Sequence, residues 1–179
     1  MDAIAHRATT AYALFATPLG RCAIAWNERG ICAVQLPEAS LAASRARLQR
    51  RFPNALARTP PPDMRRAITA MVKLLNGEAS DLARLSLDYN GVSEFSRRVC
   101  EAARAIPAGT TRTYGELAAQ LGKPGAARAV GAVMAGNLFP IIVPCHRVLA
   151  AGGRPGGFSA HGGLNTKMRM LRIEAAIAA

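Results

Sequence analysis

Two side chains able to do nucleophilic chemistry stand next to each other in this chain, Cys145 and His146, within Pro144-Cys145-His146-Arg147-Val148. A cysteine attacks carbon as its thiolate, and an imidazole, cationic groups or a helix N-terminus nearby can supply the pKa shift that produces one. The dipeptide therefore reads either as an accessible, activated thiol or as a buried cysteine beside a surface histidine. Adjacent residues of an extended strand point to opposite faces, so His146 serves Cys145 only if the backbone turns there or a water relays the proton. Pro144 favours such a turn. A third group is Glu174, at the margin of a C-terminal helix whose apolar stripe reads as Leu164, Met168, Leu171, Ala175 and Ala178. A carboxylate there either faces inward and orients a histidine or stands in solvent. The other cysteines, Cys22 and Cys32 in apparent strands and Cys100 in a helical pattern, read as core thiols. Nothing in the cysteine spacing suggests a zinc site, and no metal is expected.

The elements that must position Cys145 lie just before it. From Ser93, apolar residues recur at helical spacing (Phe95, Val99, Ala102, Ala103, Ile106) until Pro107-Ala108-Gly109 ends the pattern. Thr113 and Glu116 fit a capping box that opens a short helix to Leu121. Gly122-Lys123-Pro124-Gly125 forms a tight turn, and a second helix runs from Ala126 to about Ala135, with Gly136 at its end. Helix, turn and helix in this order make a candidate helix-turn-helix, the second member of which enters a DNA groove in the usual arrangement. That second helix turns Val130, Val133 and Met134 toward a core, while Arg128 rises from the other side beside Gly131, Ala132 and Ala135. Such a lone cation either enters a groove or a base stack, or is solvated beside an ordinary small-residue contact. The apolar run Ile141-Ile142-Val143 then delivers the Cys-His pair.

The first half reads as three short strands, Ala11 to Thr17, Cys22 to Trp26 and Ile31 to Leu36, separated by the turn signals Pro18-Leu19-Gly20 and Asn27-Glu28-Arg29-Gly30. Helical stretches follow at about Glu38 to Arg51 and Pro62 to Leu75, closed by Asn76-Gly77. The expected fold class is α+β: a small antiparallel-sheet N-terminal domain over 1–90, then a mostly helical domain with the helix-turn-helix over 91–179. With 179 residues and half of them hydrophobic, the chain can bury a real core. Its net charge of +12 favours a polyanionic partner. The excess is steeper in the second half, with 11 Lys and Arg against 4 acids from residue 92 onward, compared with 12 against 7 before it. No leader-type N-terminus or run long enough for a membrane span is apparent, so a cytoplasmic protein without a membrane partner is expected.

The stretch IPAGTTRTYGELAAQLGKPGAARAVGAVMAGNLFPIIVPCHRV, followed by GGRPGGFSAHGGLNTKMRMLRIE, closely resembles the methylated-DNA-protein-cysteine methyltransferase family, the O6-alkylguanine-DNA alkyltransferases. The match spans about Phe95 to Ala175. The first half has the size and strand-helix order of that family's variable N-terminal domain. The resemblance implies DNA repair in a single turnover: the alkyl group of O6-alkylguanine, with O4-alkylthymine as the related lesion, passes irreversibly to Cys145. The partner is double-stranded DNA carrying the lesion, bound through the minor groove by a monomeric protein. No cofactor is implied, since the alkyl donor is the DNA.

On this resemblance His146 is the water-linked base, Glu174 orients His146, and Asn137 braces the turn around the nucleophile. Arg128 is the finger that fills the gap left by the flipped nucleotide, and Ala127, Gly131, Ala132 and Ala135 share its DNA-facing side. Tyr114 helps rotate the phosphate and then contacts the base. Val148, Phe158 and Ser159 line the base pocket, where backbone groups of Cys145, Val148 and Ser159 read the guanine edge. Base flipping follows from chemistry, because a thiolate cannot reach the O6 substituent of a stacked base. Three departures stand out: Phe158 in place of a common tyrosine, the two extra residues Ala160-His161 in the pocket-edge loop, and Ser96 after Phe95. The alternatives from other classes are a lesion-binding or transcriptional helix-turn-helix protein with a passive Cys145, and a Cys-His hydrolase with turnover.

Overall fold

The computed structural model describes residues 9–178. Strands β1 (Ala11–Thr17), β2 (Gly20–Asn27) and β3 (Gly30–Gln35) form an antiparallel meander. The register places Thr17 opposite Gly20 and Asn27 opposite Gly30, so each connection is a two-residue turn. Gly30 has φ +133°, and a Cβ there would lie 2.6 Å from the Ser86 carbonyl oxygen. That close approach lets the segment before Asp88 run beside β3, with Ile31 N–H donating to Ser86 O at 2.9 Å and Asp88 N–H to Ile31 O at 2.7 Å. Helix α1 (Leu41–Arg51) starts three residues later than the sequence pattern suggests, because Ser40 caps it by accepting from Ala43 N–H. Strand β4 (Leu56–Ala57) pairs in parallel with β1, giving the order β3-β2-β1-β4, and α2 spans Pro62–Leu75.

The meander is buried on both faces. Ala23, Ala25, Cys32 and Ala33 pack with Leu48 of α1, where small side chains let the helix lie close. Cys22, Ile24, Trp26, Ile31 and Val34 face the other way into one continuous core shared with Met71 and Leu74 of α2 and with the second half of the chain. Cys22, Cys32 and Cys100 are buried, and burial pushes each thiol up to about 11, so all three are passive at neutral pH.

The second half begins with α3 (Glu94–Arg104), which buries Val99, Cys100, Ala102 and Ala103. Helix α4 (Tyr114–Gln120) opens with both bonds of the capping box, Glu116 N–H to Thr113 Oγ1 and Thr113 N–H to Glu116 Oε2. Gly122, at φ +73°, lets the chain leave that helix with Lys123 N–H bonded back to Ala118 O. Helix α5 (Ala127–Ala135) follows, burying Val130 and Met134 and leaving Arg128, Ala132 and Ala135 exposed, so α4 and α5 form the helix-turn-helix. Two-residue strands β5 (Arg112–Thr113) and β6 (Val148–Leu149) pair in parallel, and helix α6 (Gly163–Ala178) closes the chain. No helix among the described residues is long and apolar enough to cross a membrane.

Helix α6 turns a different face inward from the one its apolar residues suggest. Leu164 is 47% exposed and Ala175 is exposed, while Lys167, Met170 and Glu174 are buried. The side chain of Ala178, the last residue of that apolar stripe, lies outside the described residues. The rotation is possible because both buried charges on α6 have partners, described below; an unpaired charge there would not be tolerated.

Candidate active site

Residues 137–144 fold as a compact irregular segment rather than a strand. Asn137 holds it from both sides: its Nδ2 donates to Val143 O at 2.8 Å, and its Oδ1 accepts from Phe139 N–H at 2.9 Å. Val143 N–H reaches back to Phe139 O at 2.7 Å. Inside this loop Ile141, almost fully buried, sits at φ +77°, a conformation that costs a β-branched residue about 1–3 kcal/mol. The strain persists because the asparagine brace and burial of the side chain over-determine the turn. Asn137→Ala removes two bonds and strands two backbone groups. We expect it to lower stability by about 2 kcal/mol in chemical denaturation and to slow any reaction at Cys145; an unchanged midpoint would mean the loop holds its shape without the brace.

Past Pro144 the chain enters one turn of 3-10 helix, Cys145–Arg147, so the backbone does turn between the nucleophile and its neighbour. Neither simple reading of the dipeptide describes it, since the cysteine and the histidine are both buried. Cys145 is 7% exposed, and burial raises its thiol, opposed in part by the Asn137 amide, the Lys167 ammonium and backbone N–H groups of Cys145 and His146. Burial likewise lowers His146, against the pull of Glu174. Burial thus works against charge on both groups, raising the thiol and lowering the imidazole.

The tautomer of His146 follows from its partner. Nε2 lies 2.8 Å from Glu174 Oε1, and a carboxylate only accepts, so Nε2 carries the proton. The lone pair is then on Nδ1, which is buried without a protein partner among the described residues. No hydrogen bond among the described residues joins His146 directly to Cys145 Sγ. Arg147, also buried, donates from Nε to Glu174 Oε2 at 2.8 Å and from Nη2 to Oε1 at 2.7 Å, and its Nη1 bonds to Ile106 O. Burial raises the Glu174 carboxyl, but the hydrogen bonds and charge of His146 and Arg147 outweigh it and hold the group at about 2.

Arg147 and Lys167 are site residues that the sequence reading did not pick out. Lys167, fully buried, donates from Nζ to Val148 O at 2.6 Å and lies 6.0 Å from the centre of the Phe158 ring. Burial lowers its ammonium, with Cys145 pulling the other way. The available signal was spacing, since Lys167 lies two helical turns before Glu174 on the same face. Val148, expected to line the base pocket, is fully buried and lines neither cavity beside Cys145, because β6 pairs it with Arg112 and its carbonyl accepts from Lys167.

The remaining residues surround an opening beside the thiol. Tyr114, Ala127, Arg128, Gly131, Met134, Ala135, Phe158 and Ser159 line one cavity with Cys145. Ala132 is exposed on α5 outside that lining. The Tyr114 ring is wedged between glycines: a Cβ on Gly156, which has φ +66°, would lie 3.4 Å from it, and one on Gly131 4.0 Å. Ser159 Oγ donates to Ala135 O at 2.8 Å, tying the pocket-edge loop to α5. Past the two extra residues Ala160-His161, Gly163 N–H returns to Ala160 O and Thr166 Oγ1 donates to His161 O, so the enlarged loop is closed by its own bonds. The first half reaches the site through Val34 N–H, which donates to Leu138 O at 2.8 Å.

Two family models match the chain: the ribonuclease-like domain of 6-O-methylguanine DNA methyltransferase over residues 10–89 and its DNA binding domain over 94–176. The methylated-DNA–protein-cysteine methyltransferase of Methanothermobacter thermautotrophicus is 31% identical over 157 residues, 88% of this chain and 81% of that one. The Escherichia coli bifunctional transcriptional activator/DNA repair enzyme Ada is 39% identical over 92% of this chain. The chain spans 45% of Ada and 63% of the Mycobacterium leprae methyltransferase, less than two thirds of either. Among solved structures, the Mycobacterium tuberculosis OGT in complex with DNA superposes with a TM-score of 0.76 at 32% identity, covering 93% of this chain and 94% of that one. With a buried Cys-His pair ordered by a buried glutamate, a helix-turn-helix beside it, and relatives matching along nearly the whole length, the chain belongs to the methylated-DNA–protein-cysteine methyltransferase family.

Proposed function

We propose that this chain repairs O6-alkylguanine in DNA by moving the alkyl group to Cys145 Sγ, once per molecule. The observation that carries this reading is the position of Cys145: buried, at the wall of a cavity that opens on the helix-turn-helix face, beside a histidine whose free nitrogen is an acceptor. The base would enter from the Arg128 side. The thiol proton leaves through a water to His146 Nδ1, and Glu174 supports the imidazolium that forms. Sulfur then bonds the alkyl carbon as the carbon–O6 bond breaks, and that electron pair stays with the departing guanine. A thioether is a poor leaving group, so the protein is not regenerated. Double-stranded DNA with an alkylated guanine is the partner in this reading. Residues 91–179 carry binding and transfer, and 1–90 brace the nucleophile loop.

A thiol that is only 7% exposed suits a single-use reagent, because burial limits its contact with oxidants and stray electrophiles. Intact mass spectrometry after incubation with duplex DNA containing O6-methylguanine provides the test. We expect the protein to gain one methyl group in proportion to the lesion supplied, and peptide mapping to place it on Cys145. An unchanged mass would leave a binding protein or a hydrolase with turnover, and a methyl on Cys22, Cys32 or Cys100 would move the site.

A further inference from the structure

The nucleophile stands between two cavities. One is the opening already described, toward Tyr114 and Arg128. The other, with a volume of about 110 Å³, runs in a different direction, between the nucleophile loop and the N-terminal half; Gln35, Leu48 and Pro140 line it, and Glu38, Arg47 and Arg51 stand with them. Met134, Cys145, Phe158 and Ser159 line both, so these four residues form the wall the two cavities share. The second cavity holds several waters, which is room for a short chain.

The chemistry of transfer gives that room a use. When sulfur displaces O6 from a substituted methylene, any part of the substituent beyond the reacting carbon forms no bond and breaks none. It must lie to the side of the sulfur–carbon–oxygen line, and it stays on Sγ afterwards. With the guanine in the first cavity, the second is where such a tail fits.

Charge at the second cavity is unbalanced. Arg47 is paired with Glu38 at 2.6 Å. Arg51, at the C-terminal end of α1, has no carboxylate partner among the described residues; its guanidinium carbon lies 5.7 Å from the centre of the Phe52 ring. Arg51 is exposed to solvent at the rim of the cavity, and partial desolvation together with the neighbouring Arg47 works against its charge. A cation in that position gains from an incoming anion.

We propose that the cavity between the nucleophile loop and the N-terminal half receives the tail of the alkyl lesion, and that Arg51 makes the protein selective for tails ending in a carboxylate. This inference rests on Cys145 being the alkyl acceptor. The carboxylate is a spectator: the sulfur–carbon bond forms, the carbon–O6 bond breaks, and the thiol proton leaves as for a methyl group.

The test compares single-turnover rates on three duplex oligonucleotides, carrying O6-methylguanine, O6-(4-carboxybutyl)guanine and its neutral analogue O6-(4-carbamoylbutyl)guanine. The carboxylate should react about twofold to fivefold faster than the carbamoyl tail at low salt, a gain in the range of a solvent-screened ion pair. In Arg51→Gln the two tails should react alike, and in Arg51→Glu the order should reverse, with the methyl rate unchanged in both. Taking the ratio within each variant cancels any folding loss. Equal rates for the two tails in the unaltered protein, or a preference that survives Arg51→Gln, overturns the proposal while leaving methyl transfer intact. Failure to react with O6-methylguanine would instead sink the functional reading itself, and this proposal with it.

Discussion

Glu174→Gln should unfold this protein more readily than any other single polar substitution at the site, because the glutamate neutralises a buried arginine and orients a buried histidine together. The amide keeps the size of the side chain but leaves the Arg147 guanidinium, 6% exposed, without a counter-charge. Breaking a buried pair from one side costs about 3–5 kcal/mol, a large share of the roughly 5–15 kcal/mol that holds a domain folded. For a chain of this size that corresponds to a melting temperature lower by about 10 °C. Stability and chemistry can then be separated. Adding Arg147→Met to Glu174→Gln removes the orphaned charge and should restore much of the melting temperature, yet transfer to Cys145 should stay slow, since His146 still lacks the carboxylate that fixes its proton on Nε2. Recovery of both together would mean that Glu174 acts only through folding.

The same network sets the acid limit. The Glu174 carboxyl is held at about 2, below its usual 4.5, so its contribution is complete above about pH 4.5 and is lost as pH falls toward 2. His146 adds to the loss earlier. Its pKa is lowered by burial, so the unfolded chain takes up a proton first, and stability begins to fall as pH drops below 6.5.

Much of this architecture is legible in the residues, and the parts that are not share a cause. The meander, both bonds of the Thr113-Glu116 capping box and the division of α5 between Val130 and Arg128 are local patterns, and the structure contains them. Strands β4, β5 and β6 are two residues each and exist only through partners distant in sequence, so no local period announces them. The nucleophile loop defeats periodicity for another reason. Ile141-Ile142-Val143 looks like a strand, but Asn137 bonds it into a turn with one residue at positive φ. On α6 the rule that apolar residues face inward fails because Lys167 and Glu174 are each satisfied, one by a carbonyl and the other by His146 and Arg147. The charged pair that orders the site was therefore the least visible part of the helix that carries it. At the nucleophile the residue types were legible and the electrostatics were not, since the raised thiol depends on burial contributed by the whole fold.

Arg128→Ala offers the sharpest test of how the helix-turn-helix serves the nucleophile. Arg128 is exposed on α5, borders the cavity that reaches Cys145, and has no acidic partner among the described residues, so it is free to meet DNA. If it only attracted phosphate, its loss would weaken binding to all DNA alike and lower the salt slope by about one unit. If it fills the stack vacated by a flipped base, its value depends on how firmly that base was held. Unstacking and unpairing a base costs a few kcal/mol and less when the base is already unpaired, so an inserted side chain worth about 2 kcal/mol would leave a loss on the order of thirtyfold on a well-paired lesion. We therefore expect Arg128→Ala to slow methyl transfer by about that factor in duplex DNA, by only a few fold in single-stranded DNA, and not at all with free O6-benzylguanine, which needs no flipping. Arg128→Lys restores the charge without the flat guanidinium and should regain binding but little of the duplex rate. Second-order rates of Cys145 alkylation on the three substrates separate the outcomes, because a folding defect slows all three equally and a lost phosphate contact spares the free base while leaving single and double strands alike.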